Sequence, residues 1–284
     1  MRDGTTIRRR KLARHLRKLR QKAGLTLEVA APLLDWSPSK LSRIENAHQS
    51  VDVHSVRGML DLYDVGGDRW TELIDLTRAA RQRGWWRDHG LDDRGYIPLE
   101  AEATTVRDYT IAHVPDLLQT ADYTRALLRS SLRRRSTETL ERTVTVQRIR
   151  QERLTSDEQP LHLMTLIEES ALHRPCGGPK IMKAQLRHII DTAALDSVTL
   201  QVLPTSAAAH PGRDSAFTLL SYDELGEPDI AYVEHLLGSA TIENEADVAT
   251  AKLVFDHLRS QALSPADSID LVEQVATQLQ VSRP

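Results

Sequence analysis

Apolar residues recur every three or four positions through the first sixty residues. Leu12, Leu16 and Leu19, with Ala13 and Ala23 beside them, predict an amphipathic helix, and Gly24 is placed as its C-terminal stop. Thr26 can cap a second helix carrying Leu27, Val29, Ala30, Leu33 and Leu34. Ser37 and Pro38 open a third: the hydroxyl accepts from a free backbone N–H, and the proline ring takes the first helical position at no loss. Leu41 and Ile44 then face a core, while Ser39, Lys40, Ser42 and Arg43 fall largely on the other side. Val53, Val56, Leu60 and Tyr63 predict a fourth helix, and residues 68–82 a fifth.

The pattern then changes. Residues 84–98 are dense in glycine, charge and aromatics and mark a boundary. Beyond it, short alternating or continuous apolar runs predict strands at 109–113, 161–167, 198–203, 217–222 and 230–235. Helical spacing predicts helices at 119–129, 136–154, 179–195, 245–261 and 265–279, the last opened by Ser264 and Pro265. Strands clustered among helices give an α+β domain. The expected organisation is a mainly α, five-helix helix-turn-helix domain over 1–82, a Trp-containing linker over 83–100 and an α+β regulatory or dimerisation domain over 101–284. Adjacent tryptophans are unusual in a linker, so Trp85 and Trp86 are expected to pack against the second domain.

Charge is divided unevenly. Residues 1–63 hold 13 Lys+Arg and 6 Asp+Glu, a net of +7; the whole chain is −3, so residues 64–284 carry −10. A basic head on an acidic body suits a nucleic-acid partner, since phosphate neutralisation supplies most non-specific affinity. Cys176 is the single cysteine, which excludes an internal disulfide and a cysteine metal cluster. The N-terminus is Arg-rich without an apolar run, and no stretch approaches the ~20 apolar residues that span a bilayer. A cytoplasmic protein with no membrane partner is the expectation.

The segments LARHLRKLRQKAGLTLEVAA and WSPSKLSRIENA make residues 12–63 resemble the five-helix Xre/Cro/C1-type helix-turn-helix domain. That resemblance implies that the helix opened by Ser37 reads bases and that the start of the preceding helix holds the DNA backbone. Carried over by position, Ser37, Ser39, Lys40, Ser42 and Arg43 are the candidate base-edge or phosphate contacts. Thr26 and the first-helix cations Arg9, Arg10 and Arg14 are candidate positioning contacts. Glu45 matches an acid that braces the family's domain by pairing with a base in the first helix. Three positions depart from the pattern: Leu27 replaces a frequent glutamine, Pro32 interrupts the second helix, and Asp35 stands where the turn usually has glycine. Further along, VPDLLQTADYTRALL, IEESALHRPCGGPKIMKAQLRHI, TLQVLPTSAAAHPGRDSAFTLL and ALSPADS resemble the domain of unknown function that follows this motif in actinobacterial, WhiJ-like regulators. The resemblance implies that such regulators are often encoded beside a small partner protein; a repressor is the expectation, with activation the open alternative.

Catalytic chemistry has little support. Glu168, Glu169 and His173 form the tightest acid–histidine cluster but offer too few ligands for a catalytic zinc. No HExxH, nucleophile elbow or Walker loop occurs. Gly177 and Gly178 before Pro179 read as a helix-initiating turn, and Cys176 as a bystander thiol. His210 and Arg213, in the loop SAAAHPGRD, and Trp85 and Trp86 are candidates for a pocket rim. The expectation is therefore a non-enzymatic regulator with no cofactor or metal. It acts as a homodimer on a pseudo-palindromic double-stranded operator, with its second domain sensing a small-molecule effector or a small protein. The alternatives are a DNA-targeted enzyme and a ligand-free dimerisation module.

Overall fold

A computed structural model describes residues 6–93, 95–132 and 134–279, without the side chain of Arg213. It divides into an N-terminal unit, residues 1–102 with 224–227, and a C-terminal unit, residues 103–223 with 228–284.

The N-terminal unit is helical: α1 (Thr6–Lys22), α2 (Leu27–Leu33), α3 (Pro38–Glu45), α4 (Val53–Leu62), α5 (Gly67–Ala80) and the short α6 (Tyr96–Glu100). Its core is aliphatic. Leu12 and Leu16 of α1 meet Ala30 and Ala31 of α2, Leu41 and Ile44 of α3, Val56, Met59 and Leu60 of α4, and Leu73 and Ile74 of α5. At about 25 cal/mol per Å² of buried apolar area, this packing dominates the unit's stability.

Four successive helices stop in one way. After α1, α2, α3 and α4 the second-next residue enters left-handed geometry: Gly24, Asp35, Ala47 and Asp64, with φ of 72°, 57°, 57° and 55°. Each closes a Schellman pair, as in His48 N–H to Arg43 O (2.8 Å) and Ala47 N–H to Ile44 O (3.0 Å) after α3. Asp35 thus occupies the geometry for which glycine is usual. Pro32 sits in the last turn of α2, and the helix ends one residue later.

Segment 83–100, expected as a linker packed on the second domain, belongs to the N-terminal unit. Trp86 is fully buried, and its indole N–H donates to Asp93 Oδ1 (3.1 Å). A Cβ on Gly84 would lie 2.2 Å from the Trp86 ring, so glycine is required for the ring to fold back there. Asp93 also binds Arg87 and Arg9, which ties the segment to α1. The Arg87 guanidinium holds the Asp93 carboxyl down at about 2.

The C-terminal unit is α+β. Six strands, β1 (Thr105–Thr110), β2 (His162–Glu168), β3 (Val198–Leu203), β4 (Phe217–Tyr222), β5 (Glu227–His235) and β6 (Gly238–Ile242), form one mixed sheet of order β3-β2-β1-β4-β5-β6. β1, β2 and β3 run parallel, with Val106 opposite Leu163 and Leu163 opposite Val198; β4 is antiparallel to β1. The parallel crossovers run through α7 (Ala121–Ser130) and α8 (Thr137–Gln151), then α9 (Glu169–His173) and α10 (Pro179–Ala193). α11 (Glu245–Gln261) lays Val248, Phe255 and Leu258 on Tyr109, Leu166 and Leu219, and α12 (Pro265–Gln278) closes the chain. The β3 edge is sealed: Leu263 N–H donates to Val202 O and Val202 N–H to Ser268 Oγ, both at 2.9 Å. β6, which carries no run of large apolar residues, was absent from the expected strands. The first expected strand lies at 105–110 rather than 109–113.

Candidate nucleic-acid interface

The third helix presents one outward stripe. Leu41, Ile44 and Glu45 are buried, while Ser39, Arg43 and Asn46, at four- and three-residue spacing, are exposed. Ser37 caps the helix by accepting from Lys40 N–H (3.2 Å), and Pro38 follows at its first position. Ser42 is half-buried; Asn46 Nδ2 donates to its carbonyl (2.8 Å) and its hydroxyl (3.3 Å), so part of its capacity is used within the helix. Thr26 is exposed and caps α2 by accepting from Val29 N–H (3.3 Å). Leu27 is partly buried against the core, which accounts for an apolar residue at that position.

Lys40 is seated on an aromatic ring. Its ammonium lies 4.0 Å above the centroid of the Trp36 ring, an attractive placement for a cation. Trp36 is the residue after the left-handed Asp35, its N–H donates to Ala31 O (2.9 Å), and its ring packs on the helical core. Trp36 and Asn46 were not singled out from the sequence. Asn46 is legible there as the next step of the Ser39–Arg43 stripe; the ring under Lys40 has no such signature.

The base of α3 is fixed to α1. Arg20 Nε and Nη2 donate to Glu45 Oε1 and Oε2 at 2.7 and 2.8 Å, and Arg20 Nη1 donates to Leu25 O at 2.6 Å. Both side chains are buried. The hydrogen bonds from Arg20 to Glu45 raise the arginine's proton affinity further, and burial raises that of the neighbouring Tyr63 hydroxyl. This is the bracing pair expected for Glu45.

The first-helix cations separate into two groups. Arg14 pairs with Glu227 (2.8 Å), Arg9 with Asp93 (3.4 Å), and Lys11 Nζ donates to Leu225 O (2.6 Å). Arg10 is half-buried and also has a partner. The candidate cations Arg9 and Arg14 are therefore held by their own unit. Arg17, Lys18 and Lys22, in the second half of α1, are exposed. With Arg43, also exposed, and the half-buried Lys40, they put positive charge on the outside of α1 and α3.

A helix-turn-helix domain model matches residues 11–73, and the model of a domain of unknown function, DUF5753, matches residues 94–274, more than half of the chain. The chain belongs to the DUF5753 family. No curated protein and no solved structure matches it. The helix-turn-helix domain ahead of the DUF5753 domain makes the protein a DNA-binding regulator. No helix among the described residues is long and apolar enough to cross a membrane.

Within the DUF5753 domain the polar residues flagged from the sequence gather at the carboxyl ends of the three parallel strands. Tyr109 Oη donates to Glu168 Oε1 (2.5 Å), and His210 Nε2 lies 3.4 Å from the same oxygen. Glu169 Oε2 accepts from Thr205 N–H (2.7 Å) and Thr205 Oγ1 (2.9 Å), which lowers its proton affinity; His173 lies 3.4 Å from Oε1. The backbone at Gly212 sits so close that a Cβ there would be 2.8 Å from the Tyr109 ring. Both carboxylates thus hold the 204–216 loop against the sheet. Trp85 and Trp86, grouped with His210 as a pocket rim, belong to the other unit, and Trp86 is a core residue. The Arg213 side chain lies outside the described residues. Gly177, with φ of 69°, leaves room that a Cβ would take from Ala126 and Ile181 at 2.7 Å, so the turn before α10 has a packing reason. Burial raises the half-buried Cys176 thiol above its ordinary range.

Proposed function

We propose that the protein is a sequence-specific transcriptional regulator that binds a pseudo-palindromic operator as a homodimer. In this reading Ser39, Arg43 and Asn46 face base edges, Lys40 reaches a base or phosphate from its seat on Trp36, and Arg17, Lys18 and Lys22 hold phosphates. The observation that carries the reading is the polar stripe of α3, borne on a helix fixed from behind by Arg20–Glu45. One recognition helix reads too few base pairs for genomic specificity, and paired half-sites stand about 34 Å apart. Sedimentation at micromolar concentration tests the dimer: a monomer that binds its operator one-to-one refutes it.

The DUF5753 domain is proposed to sense a small molecule or a small partner protein without catalysing a reaction. Glu169 accepts two hydrogen bonds from Thr205, and Glu168 accepts from Tyr109 and lies beside His210, so both carboxylates have structural partners, which favours a binding over a catalytic role. Joint replacement of Glu168, Glu169, His173 and His210 tests this against a DNA-targeted enzyme. A non-catalytic domain keeps operator binding with an altered effector response, whereas an enzyme loses turnover of a substrate in cell extract.

A further inference from the structure

Between Arg125 and Arg150 the sequence carries eight arginines and two glutamates, a net of +6. The region 64–284 around it is −10, so the rest of that region stands at −16. Arg129, Arg134, Arg135 and Arg142 of this stretch lie about the connection from α7 to α8. Arg133 lies outside the described residues, and some of the other arginines have internal work. Arg125 binds Glu141 through two nitrogens (2.8 and 2.7 Å) and Asp122 through the third (3.0 Å). Arg150 is buried and lies 3.3 Å from Asp116, and Arg135 reaches Leu128 O at 3.5 Å.

The remainder do not. Arg129, Arg134, Arg142 and Arg148 are outside every ion pair among the described residues, and all four are exposed. Arg129 is in the last turn of α7, Arg134 in the connection and Arg142 in the second turn of α8, so these three surround the α7–α8 turn. Helix stability accounts for Arg129 alone, because a cation suits the carbonyl end of a helix. Arg134 and Arg135 precede the amide end of α8, where a cation is repelled. Arg134 stands where folding disfavours a cation, and Arg129, whose charge acts on Glu141 at longer range, and Arg142 make no ion pair among the described residues; such a group is suited to an external polyanion.

We infer that Arg129, Arg134 and Arg142 form a second, sequence-independent DNA-binding surface that holds duplex phosphates. The inference rests on the DNA-binding reading of the head. Duplex DNA is the occupant because the same chain already captures it through α3. Being part of the same chain raises the effective concentration of a captured duplex at a second cationic surface. Each phosphate held adds about 0.9 to the slope of log K against log salt.

The test uses the full chain and a random-sequence duplex of about 40 bp, titrated between 50 and 200 mM NaCl. The triple variant Arg129→Gln/Arg134→Gln/Arg142→Gln is expected to lower the slope by about 2–3, and Arg134→Gln alone by about 1. Over that fourfold salt range the triple variant loses about forty-fold less affinity than the wild type. A control of equal charge, Lys180→Gln/Arg187→Gln/Arg259→Gln, is expected to leave the slope unchanged. Equal slopes in wild type and the first triple variant overturn the inference. So does an equal fall in both triple variants, which would be an effect of bulk charge. A wild type that does not bind the duplex at 50 mM overturns the DNA-binding reading together with the inference.

Discussion

Replacing Glu45 with alanine strands a charge in the core of the helical head. Arg20 and Glu45 meet through two short hydrogen bonds, and their side chains are 8% and 2% exposed. The stake is less the attraction of the pair than the fate of the guanidinium when its acid is gone. Leu25 O, at 2.6 Å, then remains as its partner in the core. Breaking a buried pair from one side costs about 3–5 kcal/mol. Whole domains are stable by about 5–15 kcal/mol, so Glu45→Ala is expected to bring the head close to unfolding. The paired replacement Arg20→Met/Glu45→Leu leaves no stranded charge and is expected to stay within about 1 kcal/mol of the wild type. Urea unfolding followed by far-ultraviolet circular dichroism measures both. A loss below about 1 kcal/mol for Glu45→Ala, or a double variant as unstable as the single one, refutes the claim that this pair locks α3 to α1.

Further outcomes are expected in the same unit. Ala47 takes φ of 57° after α3, which costs a residue with a Cβ about 1 kcal/mol. Ala47→Gly should therefore raise the urea midpoint, and a fall would show that this backbone geometry is not held in solution. Asp93, held at about 2 against an ordinary 3.8, contributes stability that is present above pH 3.8 and lost as pH falls through 2. Full conversion would give about 2.4 kcal/mol. With Arg87 half-exposed, about 1 kcal/mol is the expected size, and Asp93→Asn should remove this acid-side loss. Arg14, paired with Glu227, should contribute little to phosphate binding, whereas exposed Arg17 should contribute about 0.9 of salt slope. Equal slopes for Arg14→Ala and Arg17→Ala would contradict that division.

The first three helices of the head were legible because caps, stops and apolar spacing agree: Thr26 and Ser37 cap, and Gly24 stops. The α+β class of the second unit followed from alternation in β3 and β4 and from the spacing of α10. β6 was missed because GSATI at an open edge buries no apolar side chain and leaves no periodic trace. The composition of segment 83–100 marks a boundary without saying on which side it packs; Asp93 and Gly84 place it within the N-terminal unit in three dimensions. In the site, Ser39 and Arg43 of the outward stripe of α3 were readable from helical periodicity, and Asn46 extends it by one further step. Which α1 cations are free was not, since Arg9 and Arg14 are held by acids 84 and 213 residues away in sequence.

The central claim is that α3 reads sequence through its exposed face. It is tested most directly by measuring wild type and Arg43→Ala on the operator recovered from genome-wide binding and on a shuffled duplex of equal length. The account predicts that Arg43→Ala loses about 1–3 kcal/mol on the operator, roughly ten- to hundred-fold, with a much smaller loss on the shuffled duplex. Equal losses on both duplexes would contradict it.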